Sequence, residues 1–326
     1  MAKDTMIIRQ VILVVIFIFF NSLTYGQKIE KVIVFKQDPY NLYNYEPTDT
    51  TNLFYLKLVP QGKPTGCLVI LPSAGELVET VMKQITLHKI AVQEGLLVIF
   101  PSLNWGTNKF IEEHKFLDTV FKQVVEQYKI PKDKFVLGGL SGGGMISLTY
   151  AEKANMGKGN TYIVPKAVFA LDPPLDCVHL YNHARRDVER NFSEIAVNEG
   201  HWLIDGYITE FGGTPEEVPA EYIKYSIYSH SKKDGGNAKY LLKTPIRIYT
   251  EPAIEWQIKN RHRDLYDLNC TDISAMINLL QMQGNKNAEI IVTHGKGVRP
   301  DGTRHPHSWS IMDSKGCLTW ILKQLK

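Results

Sequence analysis

The chain has 326 residues, 44% of them hydrophobic and 22% charged, which is the balance of a folded globular protein with a sizeable core. Its 37 lysines and arginines and 34 aspartates and glutamates are scattered rather than grouped, so no basic stripe directs it to nucleic acid. One domain carrying an insertion fits this length best.

At the N-terminus Lys3 and Arg9 precede an uninterrupted apolar run from Val11 to Phe20, followed by Asn21, Ser22 and a small-residue site with Thr24 and Gly26 ahead of Gln27. That order of charge, apolar run and small residues predicts a signal peptide over residues 1–26 and an exported body over 27–326, periplasmic or secreted. The rival is a retained anchor over residues 6–20. The run is shorter than the roughly 20 residues a span requires, and a membrane is a partner only if the segment is kept.

Lys31–Phe35 and Leu53–Val59 read as an opening antiparallel pair, the second alternating as in a strand with one exposed side. The apolar runs Cys67–Leu71 and Leu96–Phe100 flank a helical stretch from Glu76 to about Val92. Continuous apolar strands separated by helices predict parallel pairing with both faces covered. Between Ile111 and Tyr128, Leu117, Phe121, Val124 and Val125 share one face of an amphipathic helix that Pro131 closes.

Phe135–Leu137 then runs into Gly138-Gly139-Leu140-Ser141-Gly142-Gly143-Gly144 and a helix, and Ala167–Leu171 follows as a strand. From Cys177 to about Leu242 the rhythm stops in an irregular polar stretch, read as an inserted helical cap whose aromatics, Trp202 and Tyr207 among them, shape a substrate pocket. It resumes with the strand Ile246–Tyr249, a helix around Ile273–Gln283, the strand Glu289–Val292 and a closing helix from about Trp309 to Leu325.

Gly139-Leu140-Ser141-Gly142-Gly143 matches G-x-S-x-G, and it lies between an apolar strand and a helix, as that motif's mechanism demands. The serine sits on a sharp turn where glycines admit close backbone approach, and the Gly142 N–H at the helix start faces a forming oxyanion. A phosphate loop does not fit: Leu140 and Ser141 occupy glycine positions of G-x-G-x-x-G, and Gly-Lys-Ser/Thr is missing.

Ser141 needs a base, and the chain order serine, acid, histidine places it after the last strand. His307, in Arg304-His305-Pro306-His307-Ser308-Trp309, is the choice, with His305, His294 and His201 as rivals. The acid is expected after Ile246–Tyr249, where Glu251 is the first candidate and Glu255 the second. Asp264, Asp267, Asp172 and Asp176 stay open as alternatives. The second oxyanion donor is expected in Pro72-Ser73-Ala74-Gly75, from the backbone of Ala74 or Ser73.

The four cysteines, Cys67, Cys177, Cys270 and Cys317, lie far apart with no Cys-x-x-Cys pair, which argues against a zinc site. Cys67 reads as a small buried hydrophobe. No cofactor or metal is expected.

With strand order, serine turn, cap and C-terminal histidine in place, the chain from about Lys31 to Lys326 resembles the α/β-hydrolase superfamily. It is similar to exported bacterial esterase-like members in which Arg-His-Pro-His-Ser-Trp precedes the last helix. The resemblance implies a mostly parallel eight-stranded sheet with helices on both faces and an inserted cap. It also implies hydrolysis through an acyl-serine. The leading expectation is cleavage of a small-molecule carboxylic ester by a Ser-His-acid triad. The alternatives are a serine peptidase acting on peptides, and a non-catalytic binding protein of the same fold.

Overall fold

The computed structural model describes residues 28–40, 42, 52–103, 109–157 and 159–326. The signal or anchor segment over residues 1–26 lies outside them. Eight strands form one sheet: β1 (Ile29–Phe35), β2 (Leu53–Leu58), β3 (Gly66–Leu71), β4 (Leu96–Pro101), β5 (Phe135–Leu140), β6 (Ala167–Leu171), β7 (Ile246–Thr250) and β8 (Ala288–Val292). Their order is β1-β2-β4-β3-β5-β6-β7-β8. The β1–β2 and β2–β4 pairs are antiparallel and every later pair is parallel.

Every residue of β3, β4, β5 and β6 is buried, as continuous apolar runs covered on both faces require. The period-2 alternation divides β3 between two cores, with Cys67, Val69 and Leu71 on one side and Leu68 and Ile70 on the other. The first core is completed by α3 (Ile111–Tyr128), α4 (Gly142–Met156) and α9 (Asn269–Met282). The second is completed by α1 (Val78–Gln84), α2 (Leu87–Gln93) and α10 (Ser314–Leu325).

Three expectations are corrected. β2 is buried on both faces, because its polar residue Lys57 is satisfied inside by the Tyr128 hydroxyl at 2.8 Å and by Glu30 at 3.2 Å. The helical stretch after Glu76 breaks into α1 and α2 at Ile85–Thr86. The closing helix begins only at Ser314, after a turn at Trp309–Ile311, where the Asp313 carboxylate caps it by accepting from the Lys315 and Gly316 N–H groups. A helix that the sequence did not signal, α8 (Ile254–Arg261), follows β7 through Ala253, held at φ 43°.

The insertion between β6 and β7 carries α5 (Cys177–Arg190), α6 (Glu194–Phe211) and α7 (Pro219–Tyr225) around a small core of Cys177, Tyr181, Tyr207, Phe211 and Tyr222. Tyr207 is fully buried there, so it holds these helices together and does not line a pocket, whereas Trp202 is exposed. All four cysteines are free and buried. Among the described residues no helix is long and apolar enough to cross a membrane.

Candidate active site

Ser141 ends β5 and begins α4 at φ 52° and ψ −117°, a conformation that side chains avoid and that persists only where the surroundings impose it. Those surroundings are backbone. A Cβ on Gly139 would lie 2.4 Å from the Leu71 oxygen, and one on Gly143 would lie 2.4 Å from the same oxygen and 2.5 Å from that of Pro72. Only glycine at both positions lets the serine turn pack against the end of β3.

Gly142 is different, since a Cβ there would meet nothing closer than Ala74, at 3.5 Å from its nitrogen. The two backbone N–H donors the sequence suggested, Gly142 and Ala74, are therefore neighbours beside Ser141. The N–H of Ser73, the alternative donor, donates to Glu76 Oε2 at 3.2 Å. The Ala74 N–H has no hydrogen-bond partner among the described residues.

His307 arrives from the loop before α10, and its Nδ1–H donates to Asp172 Oδ2 at 2.7 Å. Asp172 stands one residue past β6, next along the sheet from Ser141, at a strained φ of 46°. Its backbone N–H donates to the Tyr249 oxygen at 2.7 Å, and its Oδ1 accepts from the Thr250 hydroxyl at 2.6 Å. The Asn269 amide holds its carbonyl at 2.8 Å. Burial pulls the basicity of His307 down, but the hydrogen bond and charge of Asp172 outweigh it and leave the imidazole more basic than an ordinary histidine. Nε2 of His307 makes no hydrogen bond among the described residues.

Glu251 does not meet His307. Its Oε2 accepts from the Lys296 and Gly297 N–H groups, both at 2.9 Å, and from the Thr293 hydroxyl at 3.1 Å, while Oε1 is paired with Arg304. Burial raises its pKa, but these donors lower it further, so it sits below the usual carboxylate range. Its side chain turns towards the segment after β8 and braces the loop that carries the histidines, whereas the imidazole enters over the end of β6.

Glu255 is exposed on α8. Asp264 and Asp267 cap the turn at Leu265–Asp267 and pair with Arg186 and Arg190, and Asp176 caps α5.

The rival histidines separate as clearly. His305 Nδ1–H donates to the His307 carbonyl at 2.8 Å, and burial together with Arg299 pushes the pKa of His305 down to about 4, so it stays neutral and props its neighbour. His294 and His201 are exposed.

Sequence reasoning also missed Glu76. Its Oε2 accepts from Ser73 N–H and, at 2.9 Å, from the indole Nε1–H of Trp309, while Gln84 bonds its Oε1. One carboxylate thus joins the loop after β3 to the loop of His307. Burial raises its pKa against those three donors and the charge of His307. Among the described residues no cluster of His, Cys, Asp or Glu is arranged to hold a metal ion.

No family model matches this sequence, and no curated protein matches it. Solved structures do. A hyperthermophilic esterase from the archaeon Pyrobaculum calidifontis is 14% identical, covering 92% of this chain and 85% of its own, with a TM-score of 0.56. An S-formylglutathione hydrolase from Agrobacterium tumefaciens is 14% identical over 93% of this chain and 97% of its own, with a TM-score of 0.52. The acylaminoacyl peptidase of Pyrococcus horikoshii is 13% identical over 86% of this chain, with a TM-score of 0.54, and the match spans only 41% of that longer protein.

Proposed function

The chain has the α/β-hydrolase fold, and from that premise we propose that it is a serine hydrolase cleaving a carboxylic ester through Ser141, His307 and Asp172. The observation that carries this reading is the 2.7 Å pair of His307 Nδ1 with Asp172, next along the sheet from a serine held at φ 52°. With the Nδ1 proton held by Asp172, the neutral imidazole keeps its lone pair on Nε2, where it takes the Ser141 proton as Oγ attacks the ester carbonyl carbon. The carbonyl oxygen becomes an oxyanion facing the N–H groups of Gly142 and Ala74. Collapse of the tetrahedral adduct breaks the bond to the alkoxy group, which leaves as an alcohol with the proton from Nε2. Water, deprotonated by the same nitrogen, then releases the acid and restores the serine.

A fluorophosphonate probe tests the reading. Labelling of Ser141 in the wild type, absent from Ser141→Ala and strongly slowed in His307→Ala, is the expected outcome, and labelling mainly at another serine overturns it. The peptidases among the structural neighbours favour a second reading, cleavage of an amide. Parallel assays on an ester and an amide of the same acid separate the two. Export with Gln27 as the mature N-terminus belongs to the same proposal, and N-terminal sequencing checks it.

A further inference from the structure

A residue that carries a side chain avoids a positive φ, and a residue before proline favours an extended backbone. Asp172 departs from both rules, since its φ is 46° and Pro173 follows it. Such a conformation persists only where neighbouring groups over-determine it.

Those groups can be named, because each polar function of Asp172 is bound to a different atom. Its N–H donates to the Tyr249 oxygen at 2.7 Å and its Oδ1 accepts from the Thr250 hydroxyl at 2.6 Å, so the end of β7 grips it twice. Its carbonyl accepts from the Asn269 amide at 2.8 Å, across 97 residues of chain. That leaves Oδ2, which takes the Nδ1–H of His307 at 2.7 Å. Two of the grips are side chains and can be removed singly.

Local structure does not call for either side chain. Thr250 is 1% exposed, and its hydroxyl has no other hydrogen-bond partner among the described residues. Valine, equally β-branched, would fill the same place in a strand. Asn269 opens α9 without capping it, since the N-cap position is Leu268. Its amide is nevertheless presented from a fixed turn: the Thr271 hydroxyl donates to the Leu268 carbonyl at 2.8 Å, and Asp272 is held by His179 and His230 at 2.7 and 2.9 Å.

We propose that Asn269 and Thr250 are positioning residues of the triad, Asn269 holding the strained backbone of Asp172 and Thr250 the plane of its carboxylate, so that Oδ2 alone meets His307. The inference rests on the hydrolase reading for its consequence to turnover. Without the Asn269 amide the backbone at Asp172 relaxes from its positive φ and carries the carboxylate off the imidazole. Without the Thr250 hydroxyl the carboxylate turns about its Cβ–Cγ bond, and the imidazole loses its fixed direction. Both residues act through Asp172.

The test uses Asn269→Ala and Thr250→Val, which delete one grip each, and Thr250→Ser, which keeps the hydroxyl. With 4-nitrophenyl acetate, kcat is expected to fall by about 10- to 100-fold in Asn269→Ala and about tenfold in Thr250→Val, with KM little changed, and to stay within about threefold of wild type in Thr250→Ser. In an Asp172→Asn background the first two substitutions are expected to cost less than about twofold, because nothing is left to position.

Titration of the His307 ring by NMR reads the geometry without turnover. Asn269→Ala is expected to lower its pKa, since burial persists while the bond to Asp172 weakens. Glu199, Arg263 and Glu76, the other charges acting on that ring, are untouched by these substitutions.

A lowered His307 pKa in Asn269→Ala, with no turnover of any ester or amide by the wild type, keeps the positioning and removes the hydrolase reading. Turnover by the wild type with kcat and ring pKa unmoved in Asn269→Ala, and with Thr250→Val equal to Thr250→Ser, overturns the positioning alone. Equal costs in the wild-type and Asp172→Asn backgrounds overturn it too, because the substitutions then act on the fold at large. Thr250→Val conserves shape, so its comparison with Thr250→Ser decides the matter even where Asn269→Ala does not fold.

Discussion

Two neighbouring strands of the sheet end in a carboxylate, and the two behave as opposites. Asp172 after β6 lies at a strained φ of 46° and offers one oxygen to an imidazole, whereas Glu251 after β7 is saturated by two backbone N–H groups, a hydroxyl and an arginine. A carboxylate whose partner must change charge during a reaction needs a titratable partner. One whose partners are permanent donors is a structural brace. Side by side, the pair teaches that distance along the chain from a strand end says less about role than the identity of the donors.

The sharpest way to break this comparison is to remove each charge without changing shape. Asp172→Asn is expected to lower kcat by up to about 10⁴-fold with little change in stability, because the amide cannot hold the productive tautomer. Glu251→Gln is expected to do the reverse, leaving turnover within about tenfold while costing roughly 1–3 kcal/mol in chemical denaturation for the donors left unsatisfied. A collapse of kcat in the second protein with none in the first exchanges their roles.

A smaller effect is expected at Glu76, which bonds Ser73 on one loop and Trp309 on the other. In Glu76→Ala both of these bonds are lost, so the loop after β3 and the histidine loop lose their common anchor. We expect a loss of about 10- to 100-fold in kcat with KM little altered and probe labelling of Ser141 retained but slower. Equal loss in stability and activity would make Glu76 a packing residue only.

The smallest effect concerns another His–Asp system, at the base of the inserted helices. His179 Nδ1 and His230 Nε2 meet Asp272 at 2.7 and 2.9 Å, and the other nitrogen of His179 donates to the Tyr266 carbonyl. Burial lowers His179, but Asp272 raises it further, and Asp272 raises His230. Groups with raised folded pKa values stabilise fully below the ordinary histidine value near 6.5 and lose that contribution as pH climbs through the folded value. Asp272, depressed by both histidines against its burial, contributes above the ordinary aspartate value and loses it on acidification. Buried neutral histidines such as His88, His114 and His305 titrate in the opposite sense in both proteins, so the cluster is read from the difference between them: Asp272→Asn is expected to lower the Tm by a few degrees more at pH 5.5 than at pH 8.5. An equal lowering at both pH values removes the cluster from the account.

Some of this was legible in the residues and some was not, for physical reasons. The eight strands and Ser141 were legible because their constraints are local: unbroken apolar runs for buried strands, and glycines where a Cβ would stand 2.4 Å from the Leu71 oxygen. His307 was legible by its order along the chain. Asp172 entered only as one candidate among several, since its bond to His307 spans 135 residues and both strands present an acid at their end. What could have favoured it is Pro173-Pro174 directly after it, a rigid exit that fixes the carboxylate at the strand end. Helix α8 was hidden by Pro252 and by its weak amphipathic pattern.

The central claim, that Asp172 and not Glu251 is the partner of His307, is tested most directly by titrating the His307 ring by NMR in the wild type, Asp172→Asn and Glu251→Gln. The account predicts a wild-type pKa above the ordinary value near 6.5, a marked fall in Asp172→Asn and no movement in Glu251→Gln. A fall in Glu251→Gln with His307 unmoved in Asp172→Asn would contradict it.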